Sequence, residues 1–342
     1  MLEVAFWAQN QSSFQAAEDT ILKTLCLKIN DDTVRYVANT VGQFVHERDL
    51  MEAEDCYSRL ESGNLRLPKK KKAGTLYIET DGAAVNTRNK DDDGSSWREN
   101  KLGVVFSSDN IHSWFNKKGE PQHKILKREY VSFIGGVDEF KKQLFACAIR
   151  NGYGMYEETV ILGDGASWIK SIKNELFPDA RQIFDFYHLC ENVYKFAKHA
   201  FKMEVSKYTP WAKMATDLLR KSKTDEVIAI LDGFADNVLE SAPVNLRRYI
   251  ESNIGNIDYA SYISKGYFIG SGAIESGNKT VLQNRLKQAG MRWNVATAQN
   301  ILTLRAKRES QRWQKDVVEP ILEKYNAFPN SLHHLSVASK MV

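Results

Sequence analysis

The pattern of apolar and polar positions changes character several times along the chain. Residues 14 to 62 carry apolar side chains at helical spacing: in Asp31 to Val45, Val34, Val37, Val41 and Phe44 recur behind Asp32 as an N-cap. A break near Lys28-Ile29-Asn30 separates this helix from the one before it. Residues 1–65 therefore read as a small helical domain, either a helix-turn-helix-like DNA-binding unit or a plain helical hairpin used for packing or dimerisation. In Arg66-Leu67-Pro68-Lys69-Lys70-Lys71-Lys72, proline and adjacent like charges disfavour compact structure, so 66–74 reads as a basic linker.

From about residue 75 the pattern turns to strands. Thr75 to Val85, Lys101 to Ser107 and Tyr130 to Ile134 are expected strands, separated by polar loops such as Lys90-Asp91-Asp92-Asp93-Gly94. An amphipathic helix from about Val137 to Asn151 comes next, then a strand ending at Asp164, a helix around Ser167 to Leu176, a strand Gln182 to Phe186 and a helix from Tyr187 to about Lys202. Strands followed by alternating helix and strand make an α/β mixed sheet covered by helices, in the ribonuclease H-like order, over 75–202. Residues 203–266 are polar and helical, with aromatic and aliphatic stripes, and read as an all-helical insertion. The segment 267–328 returns to the core as basic helix, and 329–342 is a tail.

The bulk properties sharpen this picture. With 342 residues, 43% hydrophobic and 26% charged, the chain can bury a substantial core. The net charge of +4 is small, but Ser276 to Lys315 is strongly basic while the first sixty residues lean acidic. Such asymmetry points to a polyanion at one surface. Cys26, Cys56, Cys147 and Cys190 lie far apart, against both a zinc ribbon and a disulfide framework, and favour a reduced cytoplasm. No apolar run approaches a membrane span, so no membrane partner is expected.

Three carboxylates stand out. Asp81 lies in Leu76-Tyr77-Ile78-Glu79-Thr80-Asp81-Gly82 and Asp164 in Val160-Ile161-Leu162-Gly163-Asp164-Gly165, both where an apolar strand meets glycine. Glu275 follows Gly270-Ser271-Gly272-Ala273-Ile274 at the start of the basic segment. The strand order puts Asp81 and Asp164 on adjacent central strands, with Glu275 closing the site from a helix. Two Mg²⁺ or Mn²⁺ ions about 3.5–4 Å apart suit such hard oxygen ligands. A lone strand-end aspartate is commonly a cap or turn former; three in this order point to phosphodiester chemistry. In Phe184-Asp185-Phe186-Tyr187-His188, Asp185 and His188 either support a metal ligand or the scissile strand, or are a helix cap and a satisfied histidine. Lys279, Arg285, Lys287 and Arg292 are spaced to share related helical faces for DNA phosphates, with Trp293 to stack on an unpaired base. The alternative there is a solvated charged face.

The blocks YIETDGAAV, ILGDGASWI, FDFYHLCENV, and GSGAIESGNK with RLKQAGMRW together resemble DDE transposases of bacterial insertion sequences, in the group containing the Kra-type and Lre-type families. The resemblance covers roughly residues 15 to 315. It implies a ribonuclease H-like domain interrupted by a helical insertion, Mg²⁺-dependent cleavage and strand transfer at the element's own ends, and at least a homodimer on DNA in the bacterial cytoplasm and nucleoid. It assigns catalysis to Asp81, Asp164 and Glu275 and support to Asp185 and His188. Two rivals are a ribonuclease H-like nuclease that does not rejoin and a truncated, silent DNA-binding remnant. Relatives of this kind usually carry a longer N-terminal region for recognising the ends, so Met1 is expected to begin a truncated copy.

Overall fold

A computed structural model describes residues 1–68, 71–91 and 93–327. Lys69 and Lys70 of the expected linker, Asp92 and the expected tail lie outside the described residues. Three helices open the chain, α1 (Leu2–Asn10), α2 (Phe14–Leu25) and α3 (Asp31–Glu61). There follow β1 (Lys72–Asn86), β2 (Trp97–Ser107), β3 (Ile111–Phe115), β4 (Pro121–Ile125), β5 (Glu129–Ile134), α4 (Val137–Arg150), β6 (Tyr156–Gly163), α5 (Ser167–Leu176), β7 (Arg181–Phe184) and α6 (Phe186–Ala200). The helices α7 (Val205–Arg220), α8 (Thr224–Leu231), α9 (Asp236–Ser241), α10 (Leu246–Ser252) and α11 (Tyr259–Ser264) fill the expected insertion. The chain returns through α12 (Gly272–Gly277), a π-helical turn Asn278–Gln283, α13 (Asn284–Leu286), α14 (Val295–Glu309) and α15 (Glu319–Ala327).

The main sheet has five strands in the order β5-β2-β1-β6-β7. β1, β2 and β5 pair antiparallel, while β6 and β7 join β1 in parallel. The central strands are buried on both faces, which explains their nearly continuous apolar runs. Because strand side chains alternate, Leu76 and Ile78 pack on one side with α4 and α5, and Tyr77 and Val85 on the other with α6, α12 and α14. The exposed edge of β5 is covered by α14, whose Gln299 accepts from the Ile134 amide at 2.8 Å and donates to the Ser132 carbonyl at 2.9 Å. Unpaired strand edges invite association, and α14 removes this one.

The N-terminal helices are part of the same packing. α3 is 31 residues long, about 46 Å at 1.5 Å per residue. It supplies Val34 and Ala38 to one core face, Ala53 and Cys56 to the other, and Val41 and Val45 to a third cluster with Leu304 of α14. At Gly42 the two helices touch so closely that a Cβ would lie 2.7 Å from Asn300 Cβ. The expected linker is also shorter than its composition suggests. Lys72 already belongs to β1, because its ammonium pairs with Asp109 at 2.5 Å and rests over the Tyr156 ring, removing it from the run of like charges. β3 and β4 form a separate two-stranded hairpin between β2 and β5. No described helix is long and apolar enough to cross a membrane.

Candidate active site

Asp81 sits within β1 and Asp164 just past β6. The parallel register pairs Glu79 with Leu162, and two further steps along both strands bring Asp81 beside Asp164. Burial raises the Asp81 carboxyl above its ordinary value, and the neighbouring Asp164 charge adds to the rise. Asp81 Oδ1 accepts from the Gly82 amide at 2.8 Å, and Oδ2 accepts from Asn278 Nδ2 at 2.5 Å. Asp164 Oδ1 accepts from the Ala166 amide at 3.0 Å, forming the tight exit from β6.

Glu275 lies on α12 at the exposed rim of the site. Its carboxyl is also raised, by partial desolvation first and then by the charges of Asp185, Glu191 and Asp81. The sheet determines where α12 sits. Glu79, two residues before Asp81 on the same face of β1, is buried to 1% exposure, and its Oε2 accepts from the Ile274 amide at 2.8 Å. A sheet carboxyl thereby caps the helix that carries Glu275. Burial, reinforced by Asp185, raises Glu79 to about 8, so near neutrality this carboxyl keeps its proton. Gly277 allows the close approach: a Cβ there would lie 2.5 Å from the Tyr130 ring.

Asp185 caps α6 and holds the approach to α12 as well. Its Oδ1 accepts from the His188 amide at 2.9 Å, while Oδ2 accepts from the Ser271 amide at 2.7 Å and also from the Ser271 hydroxyl. Ser271 in turn accepts from the Glu275 amide through its carbonyl at 3.1 Å. Asp185 is therefore the helix cap, and its second oxygen also fixes the turn that leads into α12. His188 is half-buried, near enough for its charge to lower Asp81, with its ring centroid 6.3 Å from that of Phe184.

The carboxylates are brought to one sheet edge but not into a closed cage. Among the described residues no three His, Cys, Asp or Glu side chains stand close enough to hold a metal ion. The donor set nevertheless fits hard cations such as Mg²⁺: Asp81 and Asp164 repel one another, and Glu275 makes no side-chain hydrogen bond among the described residues. Each Asp81 oxygen accepts one hydrogen bond and keeps a lone pair for a cation, and Asn278 Oδ1 is itself buried without a partner. All four cysteines are free thiols.

The expected basic helix needs correction. Asn278–Gln283 is π-helical, so its i→i+5 bonding shifts the phase of Asn284–Leu286, after which the helix ends and Arg292 and Trp293 lie in a loop. Lys279, Lys287 and Arg292 remain exposed, but Arg285 and Trp293 turn inward, at 1% and 6% exposure. They do not share the outer face with Lys279, and the Trp293 indole donates to the Leu286 carbonyl at 3.2 Å. Farther on, Arg305 donates to the Val281 and Gln9 carbonyls, Lys307 pairs with Asp49 and Asp316, and Arg312 pairs with Asp316 and Glu129. Those cations hold the core together. Glu79 and Asn278, in contrast, carry no charge signature that distinguishes them in sequence. Glu79 could have been found from Tyr77 and Asp81, which share its strand face.

Residues 7–317 match the family described as Uncharacterised protein family (UPF0236), and the chain belongs to that family. No curated protein matches it.

Proposed function

Taking that family membership as the premise, we propose that the chain is a DDE transposase with a ribonuclease H-like catalytic core, cutting DNA at the ends of an insertion sequence and joining the freed 3′ end to target DNA. The observation that carries this reading is the meeting of Asp81 and Asp164 on neighbouring parallel strands, with Glu275 brought over them on a helix capped from the sheet by Glu79. The sheet order, three antiparallel strands followed by two parallel ones, supports the ribonuclease H-like assignment.

Asp81, Asp164 and Glu275 are the residues that would hold two Mg²⁺ or Mn²⁺ ions, which when bound activate the attacking oxygen and stabilise the leaving one. The protein's own part is positional. Glu79 and the Asp185–Ser271 contact hold Glu275 at the sheet edge, Asn278 holds the Asp81 carboxylate, and His188 stands near enough to Asp81 to act on its charge. Lys279, Lys287 and Arg292 give an exposed basic surface beyond Glu275 for the phosphate backbone. Two ends must be brought together, so the working form is at least a dimer on DNA.

The test uses duplexes bearing the inverted repeats that flank the gene, with Mg²⁺ and a target plasmid. The wild-type chain is expected to nick the repeat and join its 3′ end to the plasmid, and Asp164→Ala is expected to lose both steps by several orders of magnitude while still binding. Nicking without joining assigns a nuclease. A second reading, a silent DNA-binding remnant, is favoured by the open arrangement of the carboxylates; binding without any metal-dependent cleavage would select it.

A further inference from the structure

A second polar site lies away from the carboxylates, between the N-terminal helices and the loop that precedes α14. It is a cavity of about 580 Å³ lined by Arg35, Arg88, Arg285 and Arg292 together with Phe14 and Trp293, and no acidic residue lines it. Arg285 forms its floor. The guanidinium is wedged between Phe14, 4.6 Å from the ring centroid, and Trp293, at 4.8 Å. Its Nε donates to the Ala8 carbonyl at 3.3 Å and its Nη1 to the Ser12 carbonyl at 3.1 Å, whereas Nη2 is buried without a partner.

A fully buried guanidinium with no carboxylate beside it is costly, because an ion removed from water needs a counter-charge. The rim does not supply one. Arg35, Arg88 and Arg292 are exposed; Arg35 pairs with Asp32 at 2.7 Å, while Arg88 and Arg292 have no ion pair among the described residues. The rim is nonetheless well fixed. The Trp293 amide donates to the Asn86 carbonyl at 3.0 Å and the Arg88 amide to the Trp293 carbonyl at 2.8 Å, so the loop is stitched to the strand that carries Asp81.

We propose that this cavity seats a backbone phosphate of the DNA strand whose cleavage the carboxylates direct. The proposal rests on the DNA-cutting reading above and adds a second anchor point to it. Three exposed guanidiniums over a buried fourth, with Asp32 engaging Arg35 alone, suit a phosphodiester, and Arg presents planar donors that match phosphate oxygens. Phe14 and Trp293 are engaged by Arg285, so charge rather than base identity governs the site. The strand that links the two sites also sets their spacing. From Asp81 to the end of β1 at Asn86 the backbone is extended, about 17 Å at 3.3 Å per residue, and Arg88 follows just past that end.

The experiment compares the wild-type chain with Arg35→Ala/Arg88→Ala, two exposed positions outside the Lys279, Lys287 and Arg292 surface, on a random-sequence duplex over a range of salt. Two lost phosphate contacts should make the slope of log affinity against log salt shallower by about 1.8. A scan of single methylphosphonate linkages should weaken wild-type binding at a linkage set apart from the cut as well as beside it, and should lose that second effect in the variant. An unchanged slope in a variant that still cleaves overturns the cavity assignment alone. Absence of any DNA binding by the wild-type chain overturns this proposal and the transposase reading together. Inorganic pyrophosphate supplies the control for a free ligand: if it raises the wild-type melting temperature but not that of the variant, and the DNA slope does not move, the cavity serves a free phosphoanion and the DNA assignment falls.

Discussion

Replacing Glu79 with glutamine tests the cap at the centre of the site. Below pH 4.5, the ordinary value for this side chain, the folded and unfolded chains both hold the proton. As pH rises the unfolded chain releases it, while the folded chain, with its carboxyl raised to about 8 by burial, keeps it. Stability contributed by the protonated carboxyl is therefore fully present below 4.5 and declines until the pH passes about 8. At about 1.4 kcal/mol per pH unit the loss reaches about 5 kcal/mol at most, less wherever the helix end opens to water. Glu79→Gln keeps an oxygen for the Ile274 amide and does not titrate. Urea unfolding in EDTA, repeated across that window, should give two proteins of similar stability at the acid end and a gap favouring the variant that widens with pH. It should level off above about 8. Parallel curves would show that Glu79 ionises normally and that the cap is not a buried acid. Glu79→Ala provides the positional control: it should lower cleavage in Mg²⁺ where glutamine preserves it.

Gly277→Ala should cost about 1–3 kcal/mol by overpacking, since the new Cβ would stand 2.5 Å from the Tyr130 ring and 3.2 Å from Leu102. Thermal melting reads the cost, and slower cleavage by the folded fraction reads the displacement of Glu275; an unaltered melting curve would mean α12 can shift freely. Lys307→Met should destabilise by less than the cost of a stranded buried charge, about 3–5 kcal/mol, because Asp49 is half-buried and Asp316 keeps Arg312. Duplex affinity of the folded variant should be unchanged, and a shallower salt dependence would move Lys307 from the core to the DNA surface.

The strands of the main sheet were readable because each is an apolar run bounded by glycine or polar loops. The expected Ser167–Leu176 helix is α5 itself, and Val137 opens α4 as expected. The β3–β4 hairpin gave no such signal: Trp114 and Phe115 face solvent, so its side chains carry no buried stripe to detect. Glu79 was hidden for the opposite reason. A buried carboxyl in a strand looks like any polar position until the helix it caps is folded over it. Arg285 was misplaced because spacing along an ideal helix was carried through Asn278–Gln283, where the turn widens, and Trp293 because the helix ends at Leu286 and leaves it in the loop before α14, bridged to Thr87. Within the described residues, the N-terminal helices were recognised as helices, but their burial against α14 depends on contacts hundreds of residues apart, which no local pattern encodes.

The Phe186 amide donates to the Ile269 carbonyl at 2.8 Å, so the helical excursion between them leaves and re-enters the core at a single point. In polymer terms the insertion is a closed loop, and the entropy of closing it grows only with the logarithm of its length. Doubling or halving the excursion would change that cost by about 0.6 kcal/mol. Lengthening the connections between these helices is therefore cheap, whereas trimming the helices themselves is not, because Leu219, Leu231, Ile250 and Tyr259 are buried in the same cluster as the sheet.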